Sequence, residues 1–132
     1  MADQTILKSG VDTLIQYIKS TYTYIAMGNG SWGGSEQIPL TRNTLKNEVY
    51  RTKVMSTNVE GNTITLYAAF TGTDIKATVN GSTVYNLTEI ALVNTATASS
   101  SQKCMAMKVF NTVSLTALDS KVVKITITLQ YT

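Results

Sequence analysis

The sequence of 132 residues contains no histidine, one cysteine, one proline and one tryptophan, and only 14% of its residues are charged. Without histidine, the most common general base and the most common metal ligand are both missing. Cys104 has no imidazole to activate its thiol and no second cysteine with which to form an internal disulfide. We therefore predict a protein that is not an enzyme and that uses no cofactor and no metal.

Two other absences bear on partners. No stretch approaches the ~20 consecutive apolar residues of a membrane span, and residues 1–4 (Met-Ala-Asp-Gln) lack the basic and apolar regions of a signal peptide. The eleven basic and eight acidic residues are scattered, and the nearest approach to a basic patch is Lys121 with Lys124. We expect a protein made in the cytosol that binds neither membranes nor nucleic acid.

What the sequence does have is enough apolar residues, 43%, for one domain spanning residues 1–132. Residues 3–20 are predicted to form a helix with Asp3 as its N-cap, because apolar side chains recur at helical spacing. That apolar stripe consists of Leu7, Val11, Leu14, Ile15 and Ile18. Gly10 lies inside this helix, where glycine costs about 1 kcal/mol against alanine, so we expect close packing at that position.

The next segments combine a strand, a loop and a second helix. Residues 22–27 alternate as a strand covered on both faces, and a glycine loop follows over 28–39, with backbone free to adopt positive φ. A short helix is predicted over 41–51, since Leu45 and Val49 are four residues apart. Glu48 and Arg51 would then pair on its exposed face.

From residue 52 to 132, apolar residues recur at every second position. Residues 52–58 and 63–71 are predicted to form a hairpin around the turn at 60–62, and a second turn at Asn80-Gly81 precedes strands over 83–93, 103–115 and 122–131. The prediction is an α+β domain: an antiparallel β-sandwich or sheet of five to six strands with an N-terminal helix and a short second helix.

Several residues admit more than one interpretation. Gly28-Asn29-Gly30 could cradle a phosphate, but no Lys-Ser/Thr pair follows, so a structural turn is favoured. Trp32 and the seven tyrosines could form a sugar-stacking platform, although an exposed loop tryptophan more often marks a protein contact. Glu89 lies in an apolar run and is expected to be buried or paired, with Arg51 as candidate partner. The predicted protein-interaction residues are Gly28, Asn29, Gly30, Trp32, Glu48, Arg51 and Glu89.

The order of these segments resembles the N-terminal collar domain of phage tail fibre proteins, the P2-type tail-collar fibre family. The resemblance is carried by the strand and Gly-x-Gly turn of residues 24–30 (YIAMGNG), by 45–51 (LKNEVYR), by 88–92 (TEIAL) and by the closing pair of strands. Ala91 departs from the family, which usually has glycine there. The chain also ends at Thr132, where fibre proteins continue into a shaft, so a free-standing module is expected.

The resemblance implies a structural virion protein of a tailed virus, a tail fibre, baseplate or collar component that acts by oligomeric assembly. Its partners would be copies of itself, possibly in a trimer, and other virion proteins, and its location would be the virion. Two alternatives remain open: a head decoration or turret subunit, and a carbohydrate-binding module for host surface glycans.

Overall fold

The computed structural model describes residues 7–76 and 85–129, which contain two helices and seven strands. In chain order these are α1 (Lys8–Thr21), β1 (Tyr24–Gly28), β2 (Glu48–Lys53), β3 (Ser56–Glu60), β4 (Thr63–Thr71), α2 (Gly72–Lys76), β5 (Tyr85–Val93), β6 (Cys104–Leu115) and β7 (Ser120–Thr128). All strand pairs are antiparallel, in one sheet ordered β2-β1-β5-β6 and a second ordered β3-β4-β7. The predicted α+β class is confirmed, with seven strands where five to six were expected.

One hydrophobic core joins the two sheets and α1. β4 shows the strict alternation of a half-buried strand, and its buried side chains are Ile64, Leu66, Ala68 and Phe70. Residues of β1 and β5 from the other sheet belong to the same cluster, as do Val11, Ile15 and Ile18 of α1. The period of two in the strands and the helical spacing in α1 therefore direct their apolar side chains to a common interior.

β1 is covered on both faces, as predicted, because a second cluster lies on the outer side of its sheet. That cluster is Ala26, Leu45, Ala91 and Val93. Ala91 is 1% exposed and is paired with Ala26 of β1, so its methyl group is accommodated in the sheet.

The predicted first helix is confirmed from Lys8 onward. Leu7 has extended backbone dihedrals and offers no side-chain cap, while residues 3–6, with the proposed Asp3 cap, lie outside the described residues. The predicted close packing at Gly10 is wrong, because a Cβ built there meets nothing within 4 Å. Leu14, one member of the predicted apolar stripe, is 50% exposed.

The predicted helix over 41–51 is wrong. Residues 48–53 form β2, an edge strand paired with β1, and the segment before it is irregular. Leu45 and Val49 do not share a helix face: Leu45 packs in the outer cluster and Val49 in the main core. The amides of Lys46 and Asn47 bond to the side chain of Glu89, so they do not form the i to i−4 bonds of a helix.

The predicted hairpin is confirmed as β3 and β4, with Gly61 in the left-handed region at φ 57°. Its first strand begins at Ser56 and not at residue 52, because residues 52–53 belong to β2 in the other sheet. The strands predicted over 83–93, 103–115 and 122–131 correspond to β5, β6 and β7. The turn at Asn80-Gly81, residues 83–84 and residues 130–131 lie outside the described residues. No helix within residues 7–76 and 85–129 has the length and apolarity to cross a membrane.

The short second helix lies at α2, where the sequence prediction had none. Asp74 accepts a hydrogen bond from the amide of Thr71 at 2.8 Å, which secures the first turn of the helix. Only glycine fits at position 72, because a Cβ there would lie 1.9 Å from the carbonyl oxygen of Thr116.

Candidate functional site

The centre of the site is the carboxylate of Glu89, which is 0% exposed and is enclosed by the segment that connects β1 to β2. Oε2 accepts hydrogen bonds from the amides of Gly30 at 2.9 Å and Asn47 at 3.0 Å. Oε1 accepts from the amide of Lys46 at 2.9 Å and from the indole Nε1 of Trp32 at 2.9 Å. The buried charge is therefore held by four donors, which we call the Glu89 clamp (Glu89, Gly30, Trp32, Lys46 and Asn47).

The predicted turn at Gly28-Asn29-Gly30 is instead the end of β1 and the start of an irregular segment, and the clamp explains its two glycines. A Cβ on Gly28 would lie 2.4 Å from Oε2 of Glu89 and 2.5 Å from the carbonyl oxygen of Asn47. A Cβ on Gly30 would lie 2.7 Å from the same Oε2 and 2.3 Å from Cβ of Lys46. Among the described glycines only Gly61 has positive φ, so these two serve close approach and not an unusual backbone conformation.

A bulge in the sheet turns Glu89 to the outer face. The register between β5 and β6 shifts between Leu87 and Glu89. Leu87 and Ile90 both point into the main core, which uninterrupted alternation would not allow. Because of the shift, Glu89 faces away from that core and opposes Gly28 across the β1–β5 ladder.

The pKa of Glu89 is set by two opposing influences, burial and hydrogen bonding. Burial is the largest single one and raises the pKa of the carboxyl group. The hydrogen bonds from Asn47, Trp32, Lys46 and Gly30 act in the opposite direction and together outweigh burial, so the pKa of Glu89 lies below its usual value. At neutral pH the side chain is therefore ionised and accepts all four hydrogen bonds.

Trp32 is fixed by cations as well as by Glu89. Nζ of Lys46 lies 4.3 Å from its ring centroid and Cζ of Arg42 lies 5.4 Å away, both within cation–π range. The same Lys46 Nζ contacts Glu36 Oε2 at 2.6 Å, and this hydrogen bond is the main reason that the pKa of Glu36 is lowered. The tryptophan that was expected to be exposed is therefore half-buried, with both its indole N–H and its ring in contact with other side chains.

Glu48 and Arg51 form a separate network. Nε and Nη2 of Arg51 donate to the two carboxylate oxygens of Glu48 at 2.9 and 2.7 Å, a two-point pairing. Arg51 also donates to the carbonyl of Thr95 and to Oε1 of Gln102, both at 2.8 Å. The Glu48–Arg51 pairing is thus present, but the Arg51 side chain is only 5% exposed, and its predicted pairing with Glu89 is wrong.

Beside the clamp lies an open cleft of about 400 Å³, between the segment 29–32 and strand β6. All of its lining residues are uncharged. Six of them are neutral and polar: Asn29, Ser31, Asn86, Thr88, Asn111 and Thr112. Trp32 and Phe110 add aromatic surface, so the lining residues offer hydrogen bonds and apolar contact but carry no charge themselves. Nζ of Lys46 reaches this surface from outside and donates to the carbonyl of Ser31 at 2.7 Å.

A second surface of interest is an apolar groove on the exposed side of α1. It is lined by Leu14, Tyr17, Ile18, Tyr22, Met105 and Leu129. Leu14 is 50% exposed, Tyr17 58% and Met105 37%, and no charged residue lines the groove. The helical spacing that predicted α1 did not separate its buried stripe from this second apolar face.

Within residues 7–76 and 85–129, no group of three or more acidic or cysteine side chains could hold a metal ion. Cys104 is half-buried against the outer cluster, and burial raises the pKa of its thiol, which lowers its reactivity.

The predicted interaction residues therefore divide into two groups. Gly28, Gly30, Trp32 and Glu89 meet in or beneath the clamp, where Asn29 bonds to Asn47, whereas Glu48 and Arg51 belong to the neighbouring network. In comparisons with known proteins, no family model and no curated protein matches this chain.

Proposed function

We propose that this protein is a structural subunit of a tailed-virus particle, a tail fibre, baseplate or collar component that acts by assembling with copies of itself. The observation that supports self-assembly is the uncharged apolar groove along α1, and the tailed-virus part of the proposal rests on the sequence resemblance. Contiguous apolar surface of this kind marks interaction sites on soluble proteins, whereas isolated exposed apolar residues need no explanation.

The chemistry of the groove favours a second copy of the chain as its occupant. An interface between identical subunits must be self-complementary, and a surface without charge meets a copy of itself without repulsion. The aromatic and methionine side chains at the groove, Tyr17, Tyr22 and Met105, are residue types enriched in interface cores.

The Glu89 clamp supports an architectural role more than a chemical one. Its carboxylate is saturated by four donors and is closed to solvent, so no lone acceptor remains for a substrate. Its effect is to hold the segment between β1 and β2 in one shape, which suits a surface that must fit a neighbouring subunit.

The groove is tested with two matched leucine variants. Leu14→Glu places a charge in the groove on a residue that is already half-exposed, and Leu118→Glu places the same charge on a 96% exposed leucine outside it. Light scattering coupled to size exclusion should show that Leu14→Glu dissociates the oligomer while Leu118→Glu leaves it intact. Equal masses for both variants would remove the groove from the interface.

The virion assignment is tested separately on purified particles encoded by the same genome. An antibody to this chain should label the tail or the head–tail junction in negative stain. Labelling on the capsid faces would favour the decoration or turret alternative, and absence of the chain from particles would overturn the virion assignment.

A further inference from the structure

The cleft between residues 29–32 and β6 is opened by a bulge in β6, and the packing of the fold does not explain that bulge. From the pair Leu87–Val113 to the pair Glu89–Val109, β5 advances by two residues and β6 by four. β6 therefore carries two extra residues between these pairs, and the bulged segment 110–112 forms one wall of the cleft. Bulges of this kind are common beside binding sites, where they redirect side chains.

The polar groups of the cleft are partly fixed and partly free. Thr88 donates to the carbonyl of Gly30 at 2.7 Å, and Oδ1 of Asn86 accepts from Ser114 at 2.7 Å. Within the described part of the chain, no hydrogen bond engages the side chains of Asn111 and Thr112. The cleft thus has a rigid side and, on the bulge, an amide and a hydroxyl available to a ligand.

The lack of charge restricts the class of ligand. No lysine, arginine or carboxylate lines the cleft. Nζ of Lys46 bonds to the carbonyl of Ser31 at 2.7 Å, but it is already paired with Glu36, so a phosphate or carboxylate would lose water on entry without gaining an unpaired cation, and a cation would find no carboxylate. Amide and hydroxyl side chains both donate and accept, which matches a ligand rich in hydroxyl groups. Apolar surface against which the C–H face of a sugar ring can pack is supplied by Phe110 and by the part of Trp32 that lines the cleft beside its two cation–π contacts.

We propose that this cleft binds a neutral sugar residue of a glycan, with Asn111 and Thr112 as its hydrogen-bonding groups. The cleft and the α1 groove share no residue, so this inference does not rest on the proposed assembly role. The volume of about 400 Å³ is within the range of small-ligand sites.

The test is a nuclear magnetic resonance titration of the ¹⁵N-labelled protein with neutral disaccharides (lactose, maltose and diacetylchitobiose) and with anionic sialyllactose. The single tryptophan gives one indole signal, from an N–H that is bonded to Glu89 and a ring that lines the cleft, so the side-chain amide signal of Asn111 is followed beside it. We expect at least one neutral disaccharide to shift the Trp32 indole and Asn111 side-chain signals.

Asn111→Ala should weaken the affinity for that disaccharide about three- to tenfold, the effect of one lost hydrogen bond. The control Asn58→Ala removes an exposed amide from β3 and should leave the affinity unchanged. No shift with any neutral disaccharide, preferential binding of sialyllactose, or equal affinity in Asn111→Ala would each overturn the proposal.

Discussion

Replacing Glu89 with glutamine tests the clamp with the smallest possible change in shape. All four partners of the carboxylate are donors, two on each oxygen. A glutamine amide keeps one accepting oxygen and replaces the other with an NH₂ group, which is itself a donor. Two of the four N–H groups would then face a donor inside a site that is 0% exposed.

The expected loss can be estimated from those two groups. Each buried donor left without an acceptor costs about 1–3 kcal/mol, so Glu89→Gln should lower the free energy of unfolding by about 2–6 kcal/mol. For a domain with a typical stability of about 5–15 kcal/mol, this loss is a large share of the total.

Urea denaturation followed by circular dichroism measures the loss, and fluorescence of Trp32 reports on the clamp itself. The matched control is Glu60→Gln, which makes the same replacement at an exposed carboxylate at the end of β3 and should change stability by less than about 0.5 kcal/mol. A Glu89→Gln variant as stable as the Glu60→Gln control would refute the structural role assigned to the clamp.

Two further predictions concern the contrast between Gly28 and Gly10 and the pH dependence of the Glu89 clamp. Gly28→Ala should destabilise the fold by about 2 kcal/mol or more, because its Cβ would lie 2.5 Å from the carbonyl oxygen of Asn47. Gly10→Ala should instead stabilise the fold by about 0.5–1 kcal/mol, since a Cβ there meets nothing within 4 Å. Thermal unfolding of both variants measures the contrast, and a destabilised Gly10→Ala would contradict it. Because the folded-state pKa of Glu89 is lowered, its contribution to stability is present above the unfolded pKa of about 4.3 and is lost as the pH falls through the folded value. The stability difference between wild type and Glu89→Gln should therefore narrow at acidic pH in urea titrations, and a constant difference down to pH 2 would show that ionisation of Glu89 does not matter.

The predicted strands and α1 were recoverable from sequence because their apolar periods match their burial. In β4 and β7 the alternation of two corresponds to one buried face, and in α1 Val11, Ile15 and Ile18 form the buried stripe. Local spacing is sufficient where an element packs with a single face on the core.

The helix predicted over 41–51 shows where local spacing fails. The separation of Leu45 from Val49 suits a helix, but the amides of Lys46 and Asn47 are bonded by a carboxylate more than forty residues away in sequence. That partner is chosen by tertiary packing, and no local pattern records it. Pairing with β1 then fixes the residues that follow as a strand.

The candidate site could be predicted from the sequence only in part, again because tertiary packing selects the partners. Burial of Glu89 could be predicted from its apolar neighbours, whereas its partners could not, because they are mostly backbone amides that carry no residue identity. The glycines at positions 28 and 30 were predicted to form a structural turn, but Gly28 ends β1 and Gly30 lies in the irregular segment that follows, and both glycines are required by the approach of the Glu89 carboxylate. The bulge of β6 that opens the cleft has no signal in the sequence of that strand.

Self-assembly is tested by the mass of the unmodified protein in solution. Sedimentation equilibrium at micromolar concentrations should give a mass that is a whole multiple of the 14.3 kDa chain, and a trimer would agree with the resemblance to fibre collar domains. A single 14.3 kDa species over the same range of concentration would contradict the account.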